Sequence, residues 1–440
     1  MNLFWKKLFG GLTSTEKFEK QIQEQFATYQ RYKEVAQSAE LKEYMQLREI
    51  VKTASFKENK KQLQNRKYKD TEEGRNWINF QRLQNNGDFK RYLHTLQSDA
   101  LAEYQAFQQS PDYIKLADKK AVASDAHLKK MYDFEHSKEY KNFTRFKGSA
   151  KAGEYERLKA LVETEDFKKR NAFWQNEHRW ETTEESKQDA RYYALSKNPD
   201  IVFFESRKAD DFKDVAGLEE RFVENFDNNT LSNTRWQFGF HYRSAQLKGN
   251  HSFANEQQAN NEGKNTSVSN GTLQLQTRQQ TVTASAWDVR KGFVDKQFDY
   301  TSDVMQTSGS FCQQGGVFRA KLRCTGHIHH ALWLGADNML PHVNIFHYNG
   351  KNITLGNASA NMMDEEIIKG INPNQYYIYT LVWTNSELVW YINNLEVFRT
   401  ATNVPHEEMY IALNSFIAQT QAAQPGLLEV DWIKAYAVKG

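Results

Sequence analysis

The first half of the chain repeats one pattern of hydrophobic and polar positions. Up to about residue 215 it is rich in Lys, Glu, Gln and Ala, and apolar side chains recur mostly at steps of three, which is typical of one helix face. Tyr140, Phe143 and Phe146 form one such series, and Tyr155, Leu158 and Leu161 another. The pattern predicts an all-α domain over residues 14–215.

Ser and Thr residues recur at intervals along this pattern and predict where its helices begin. Each precedes an acid and then a new apolar stripe, as expected for a side chain that caps a helix whose positive end favours acids. Their spacing of about 12 to 15 residues leaves about three helical turns, too short to be stable without packing. The six residues are Ser98, Ser110, Ser124, Ser137, Ser149 and Thr164.

We therefore predict a degenerate array of short helical repeats, stacked as hairpin pairs with a period of about 26 residues. A long irregular coiled coil is the alternative. The aromatic residues are interpreted as core, and a groove for a protein partner or for self-association is the other possibility. No metal, phosphate or nucleophile motif occurs in this half.

From about residue 222 the pattern changes to short alternating runs between turns rich in Asn, Gly and Thr. Examples are TLQLQTR from Thr272 and ELVWYIN from Glu387. Such closely spaced strands predict one all-β domain over 222–440, either a sandwich or a jelly roll. The linker is placed at 206–221.

The N-terminal segment, residues 1–13, has a separate amphipathic pattern. Its apolar residues could lie on a membrane surface as a short helix, although docking on the protein itself is the favoured interpretation. Two lysines interrupt the patch, so no run of roughly 7–15 apolar residues resembles a secretory signal. We expect a cytoplasmic protein, secreted only if a signal was trimmed. The apolar residues are Leu3, Phe4, Trp5, Leu8, Phe9 and Leu12.

Composition narrows the classes of partner. A chain of 440 residues is expected to form two domains. Its formal net charge of +3 does not indicate a strongly basic surface for binding nucleic acid. No apolar run approaches the roughly 20 residues that are needed to span a bilayer. Cys312 and Cys324 are predicted to be free thiols rather than a disulfide framework.

Several segments of the second half occur in the order of a known family. Together they resemble glycoside hydrolase family 16, the concanavalin A-like jelly rolls that include laminarinases, lichenases and carrageenases. The resemblance implies a jelly roll with a glycan-binding cleft. The segments are FVENFDNNTLSNTRW, ANEQQANN, VSNGTLQLQTR, SGSFCQQGGVFRAKLRC, HHALWLG, LVWTNSELVWYINNLEVFR and LLEVDWIKAYAV.

HVNIFHYNG, residues 342–350, resembles the family strand Glu-Ile-Asp-Ile-Met-Glu, which carries the nucleophile, an assisting aspartate and the acid/base. A spacing of two and then three residues keeps all three side chains on one face only if the strand bulges. A retaining glycosidase also needs two carboxyls about 5–5.5 Å apart. The resemblance places the nucleophile at His342, the assistant at Asn344 and the acid/base at His347, so all three acids are expected to be replaced.

The leading hypothesis is therefore a catalytically inactive family 16 module on a helical scaffold, binding a carbohydrate or protein partner through the old cleft. One alternative is a hydrolase acting on the O-glycosyl bonds of a β-glucan or galactan, with His347 as the acid. Others are a structural assembly protein and a zinc or other transition-metal site at His329, His342 and His347. The predicted cleft residues are Glu256, Gln258, His329, Trp333, His342, Asn344 and His347.

Overall fold

The computed structural model describes residues 11–242 and 250–438, apart from the side chain of Asn338. The predicted N-terminal segment therefore lies outside the described residues, except for its end; Leu12 packs against the β core. Internal contacts divide the chain into a β unit, Met1–Lys33 with Arg207–Gly440, and a helical unit, Glu34–Ser206. This division differs from the predicted helical domain of 14–215, because residues 14–33 group with the strands.

Short helices account for most of the described part of the first half. None of the described helices is long and apolar enough to cross a membrane. Short 3-10 helices lie at Tyr68–Asp70, Pro111–Ala117, Trp180–Thr182, Ala209–Phe212 and Asp337–Met339. The α-helices are α1 (Thr15–Gln37), α2 (Ala39–Val51), α3 (Ala54–Asn65), α4 (Glu72–Gln84), α5 (Gly87–Leu96), α6 (Asp99–Gln108), α7 (Lys119–Ser124), α8 (Ala126–His136), α9 (Lys138–Phe146), α10 (Ala150–Val162), α11 (Glu165–Gln175), α12 (Glu184–Leu195) and α13 (Pro199–Glu205).

Four of the six predicted helix starts are side-chain caps. Ser98, Ser137, Ser149 and Thr164 each accept a hydrogen bond from the backbone N–H three residues later. The other two predictions need correction. Ser110 precedes a 3-10 helix and makes no capping bond, whereas Ser124 ends α7 and the neighbouring Asp125 caps α8 with its carboxylate.

The helices of the helical unit pair in a nested order rather than as consecutive hairpins. Helix α2 contacts α12, α4 contacts α10, α5 contacts α9 and α6 contacts α8, so the chain doubles back near the 3-10 helix Pro111–Ala117. Ion pairs follow the same order: Arg191 with Glu43 at 2.6 Å, and Arg145 with Asp88 at 2.8 Å. This arrangement replaces the predicted stack of hairpin pairs with a period of about 26 residues.

The second half is built from strands, and it confirms the predicted fold class of a helical first half and a β-sandwich. The predicted linker, residues 206–221, contains the 3-10 helix Ala209–Phe212 and the first residues of β1. The strands are β1 (Leu218–Glu224), β2 (Gln237–Phe238), β3 (Ser252–Phe253), β4 (Gln258–Asn260), β5 (Thr266–Ser269), β6 (Thr272–Asp288), β7 (Gly292–Ser302), β8 (Val304–Gln306), β9 (Gly316–Thr325), β10 (His329–Gly335), β11 (His342–Asn349), β12 (Ile353–Ala358), β13 (Met363–Ile368), β14 (Tyr377–Trp383), β15 (Leu388–Ile392), β16 (Leu395–Thr400), β17 (Tyr410–Phe416) and β18 (Gly426–Val438).

Two sheets face each other across one apolar core. The larger runs β16-β15-β14-β9-β18-β6-β7-β4, with β1 also paired to β18 and both β3 and β5 paired to β6. The smaller runs β13-β12-β11-β10-β17-β8-β2. Phe346 of the smaller sheet packs on Tyr379 of the larger, with ring centroids 4.8 Å apart. The Trp390 indole N–H crosses the same core and donates to the carbonyl of Asn344 at 2.8 Å. The opposite face of the smaller sheet is left to form a site.

Candidate functional site

A bulge in β11 places three side chains on the outer face of the smaller sheet. The register between β11 and β12 shifts between Asn344 and His347, and both Ile345 and Phe346 point into the core. His342, Asn344 and His347 therefore share the outer face, as their two-then-three spacing predicts. We call this face the cleft face.

His347 and His329 form a hydrogen-bonded pair on the cleft face. His329 Nδ1 lies 2.9 Å from His347 Nε2, and His347 Nδ1 lies 2.8 Å from the Thr354 hydroxyl. Phe416 of β17 stacks on His329, with ring centroids 4.2 Å apart. The two imidazoles and the phenyl ring are half-buried, so they form a flat aromatic surface, the His-Phe surface (His329, His347, Phe416).

His342 and Asn344 interact with each other rather than with the histidine pair. His342 Nε2 lies 2.8 Å from Asn344 Oδ1, and the imidazole stacks on Trp333 at 4.6 Å between centroids. Trp333 is only 3% exposed, and its indole N–H donates to Asn414 Oδ1 at 3.0 Å. Because its ring is covered, Trp333 supports the floor of the cleft and does not present an exposed face on which a sugar ring could stack.

Glu256 and Gln258 lie on a segment that is hydrogen-bonded to the residues directly after β17. Gln258 Oε1 accepts from the backbone N–H of Ile417 at 2.7 Å, and its amide donates to Glu256 Oε2 at 2.7 Å. Glu256 also pairs with Ala418 in an isolated β-bridge. Burial raises the pKa of the Glu256 carboxyl to about 7, against the opposing effects of Gln258 and Lys296.

Burial keeps the cleft histidines neutral near pH 7. It lowers the pKa of His329 to about 4 and that of His347 to about 3, where the neighbouring His329 adds to the effect. It also lowers the pKa of His342, which the hydrogen bond to Asn344 partly offsets. Neutral imidazoles can share protons as donor and acceptor, so the His329–His347 contact is a hydrogen bond and not a repulsive pair.

The three predicted metal ligands do not converge. Among the described residues, no group of three or more His, Cys, Asp or Glu side chains has the geometry to hold a metal ion. Only His329 and His347 meet, because His342 is turned toward Asn344 and Trp333. His330 faces the other way, with Nδ1 2.7 Å from the Ser415 hydroxyl and Nε2 3.0 Å from the carbonyl of Thr325.

Three residues of the cleft face were missing from the predicted set: Phe416, Asn414 and Thr354. In YIALNSF, every second residue points to the same side of a strand. This spacing places Phe416 and Asn414 on one face together with Tyr410 and Ala412. Nothing in the sequence indicates which face that is. Thr354 follows a turn, and its bond to His347 depends on the register of β11 with β12.

The comparison with protein families identifies the domain that carries this site. Residues 253–434 match the model of the family described as "Glycosyl hydrolases family 16". The β unit is therefore a family 16-like domain, which confirms the resemblance. Two relatives from Rhizobium meliloti (strain 1021), the endo-1,3-1,4-beta-glycanases ExsH and EglC, are each 26% identical over 159 residues. The match covers 32% of this chain, and the chain spans only 34% of each relative's length.

Solved structures of the same kind are also similar. The catalytic domain of an endo-1,3-beta-glucanase (laminarinase) from Thermotoga petrophila RKU-1 is 18% identical, with a TM-score of 0.41 over 51% of this chain and 99% of that one. An endo-beta-1,3-glucanase from Pyrococcus furiosus is 17% identical, with a TM-score of 0.41 over 51% and 96%.

Proposed function

We propose that the family 16-like domain binds a β-linked glycan on its cleft face without hydrolysing it. The observation that carries this proposal is the composition of β11. The positions that resemble the family's three acids hold His342, Asn344 and His347, and their polar atoms already bond to neighbouring side chains.

The chemistry of a retaining glycosidase explains why the replacement of these three acids is expected to prevent hydrolysis. One carboxylate must attack the anomeric carbon while a second, protonated carboxyl releases the leaving group. His342 offers no anion, and Asn344 has no ionisable proton. His347 has a pKa of about 3, so only a trace of it is protonated near pH 7, and it is a poor general acid there.

The His-Phe surface supports binding. Stacked rings with a few polar atoms at their edges are the combination typical of small-molecule and sugar sites. The relatives ExsH and EglC are named as endo-1,3-1,4-beta-glycanases, so glucans with β-1,3 and β-1,4 linkages are the ligand class to test first. A protein partner on the same face is the other outcome of the test.

Isothermal titration of the full chain with laminari-oligosaccharides and mixed-linkage oligosaccharides tests the proposal. We expect binding without reducing-sugar release, and Phe416→Ala should weaken it at least about fivefold, because a stacked aromatic contributes about 1 kcal/mol beyond its buried area. Phe293→Ala, which removes an aromatic side chain from the β7 hairpin, is the matched control and should bind normally. Absence of binding across both glycan sets would contradict the proposal.

Glu256 favours a second candidate function, hydrolysis by altered chemistry. A carboxyl with a pKa of about 7 is suited to donate a proton near neutrality. If the domain is a hydrolase of this kind, it should release sugars from laminarin or lichenan, and Glu256→Gln should abolish that release while His347→Gln retains most of it. Product at the level of a boiled control in the wild-type protein eliminates this candidate.

A further inference from the structure

The β unit contains a cavity of about 850 Å³ remote from the cleft face. It lies between helix α1 and the outer face of the larger sheet, where β9, β14 and β15 run side by side. Helix α1 is fixed there by Glu19, which accepts from Trp432 Nε1 at 2.6 Å and from Lys321 Nζ at 2.8 Å. The ring of Phe26, also on α1, stacks on Tyr436 of β18, with ring centroids 5.4 Å apart.

Three cations follow one another on the outer face of β9, and two of them have acid partners. Lys321 pairs with Glu19 and with Asp431, the latter at 2.7 Å. Arg323 Nε donates to Glu429 Oε2 at 2.6 Å. The third cation, Arg319, lies two residues before Lys321 on the same face and lines the cavity.

Arg319 differs from its neighbours because its Nε and Nη1 atoms are shielded from solvent and find no hydrogen-bond partner within the described ranges. The hydroxyl of Thr380 is likewise shielded from solvent and has no hydrogen-bond partner within the described ranges. The two residues are directly paired across β9 and β14, and both line the cavity. Buried polar groups are normally satisfied, so two adjacent unsatisfied ones on residues that line one cavity mark a place where a ligand supplies the missing acceptor.

The charge of the cavity limits what that ligand can be. Arginine stays protonated in proteins, so its partner should be an anion. Three acids, Glu24, Asp211 and Asp214, and a second cation, Arg207, also line the cavity. The acids outnumber the two cations, so the net negative charge of the lining disfavours a ligand with two negative charges, such as a phosphate monoester, more than a ligand with one.

We propose that this cavity binds a small polar molecule with a single carboxylate, which accepts hydrogen bonds from Arg319 and Thr380. The cavity's volume is within the range of small-molecule sites, about 300–1,000 Å³. Gln21, Gln25 and Asn394 line it as well and can bond to hydroxyl groups. The site is independent of the cleft face and of the glycan proposed to bind there.

Three probes with the same sugar ring test the ligand class on the full chain: D-glucuronate, D-glucose and D-glucose 6-phosphate. Isothermal titration should detect glucuronate binding at least about tenfold tighter than that of either other probe, because a charge-assisted hydrogen bond contributes about 1.5–3 kcal/mol. No glucuronate binding, or equal binding of glucose, overturns the proposal. Tighter binding of glucose 6-phosphate overturns the assignment of a single carboxylate.

Arg319→Met separates a ligand-binding role from a structural one. Methionine keeps the length of the side chain and removes a buried charge without a partner, so the variant should melt at or above the wild-type temperature while losing glucuronate binding. Arg323→Met is the matched control; it strands Glu429, and it should lower the melting temperature and retain binding. A fall in melting temperature for Arg319→Met as large as that of the control would show a structural role and overturn the proposal.

Two further variants keep the test decisive. Thr380→Val preserves the shape of the strand and should weaken glucuronate binding several-fold at an unchanged melting temperature. Phe416→Ala, on the cleft face, should leave glucuronate binding unchanged. Loss of glucuronate binding in Phe416→Ala would place the carboxylate site on the cleft face and contradict the assignment to Arg319.

Discussion

At pH 5 the β unit should melt about 10 °C lower than at pH 7. The reason is the set of histidines that burial keeps neutral. Burial lowers the pKa of His330 to about 3, close to that of His347, and the pKa of His329 to about 4. His330 is fully buried, and its two ring nitrogens are bonded to Ser415 and to the carbonyl of Thr325.

The direction of the effect follows from which state binds protons first. In the unfolded chain these histidines titrate near pH 6.5, whereas in the folded β unit they stay neutral until about pH 3 to 4. Lowering the pH below 6.5 therefore protonates the unfolded state alone and favours it. At pH 5 each such histidine lowers the free energy of unfolding by about 2 kcal/mol, so three lower it by about 6 kcal/mol.

Glu256 acts in the opposite direction. Its folded pKa of about 7 lies above the ordinary glutamate value of 4.5, so between these values the folded state binds the proton first and gains stability as the pH falls. This gain is about 2 kcal/mol at pH 5, which leaves a net loss of about 4 kcal/mol. For a unit of this size, that loss corresponds to the expected shift in melting temperature.

Calorimetry of the full chain at a series of pH values measures this dependence. His347→Gln keeps a donor and an acceptor on the cleft face but cannot take up a proton, so its stability should fall less steeply between pH 7 and pH 5. His136→Gln, an exposed substitution in the helical unit, is the control and should leave the pH dependence of the β unit unchanged. A wild-type melting temperature equal at pH 5 and pH 7 would refute the prediction.

Local signals in the sequence predicted local structure well. The capping residues Ser98, Ser137, Ser149 and Thr164 identified helix starts, because a cap involves only neighbouring positions. The spacing of His342, Asn344 and His347 predicted the bulge in β11 for the same reason.

Interactions between distant residues could not be predicted in this way. The nested order of the helices depends on pairs such as Arg191 with Glu43, and the grouping of α1 with the strands depends on Glu19 with Lys321 and Trp432. Each helix shows an apolar face, but no single sequence indicates which other helix covers it.

The same limit applies to the site. Alternation in β17 shows that Phe416 and Asn414 share a face, whereas the stacking of Phe416 on His329 depends on how β17 pairs with β10. The convergence of three imidazoles was a reasonable expectation from their strands. It fails because a side chain on the correct face can still turn to a nearer partner, as His342 turns to Asn344.

Asp303→Ala should destabilise the β unit by about 4 kcal/mol. Asp303 follows β7 and is 1% exposed. Its carboxylate accepts from the backbone N–H groups of Asn261, Gly263 and Asn265 and from the Thr266 hydroxyl, at 2.8 to 3.3 Å. Alanine leaves three of these donors without an acceptor, because Asn261 also donates to the carbonyl of Ser302 at 2.9 Å. Two of the three are backbone N–H groups that cannot turn toward water without opening the loop.

Urea denaturation of the full chain measures this loss as a lower midpoint at an unchanged slope. Asp295→Ala removes an exposed carboxylate from β7, the strand just before Asp303, and should have little effect, so it controls for the change in charge. The loop that Asp303 holds follows β4, on the segment that carries Glu256 and Gln258, so glycan binding should weaken together with stability. A loss below about 1 kcal/mol would show that water replaces the carboxylate and that the loop holds its position without it.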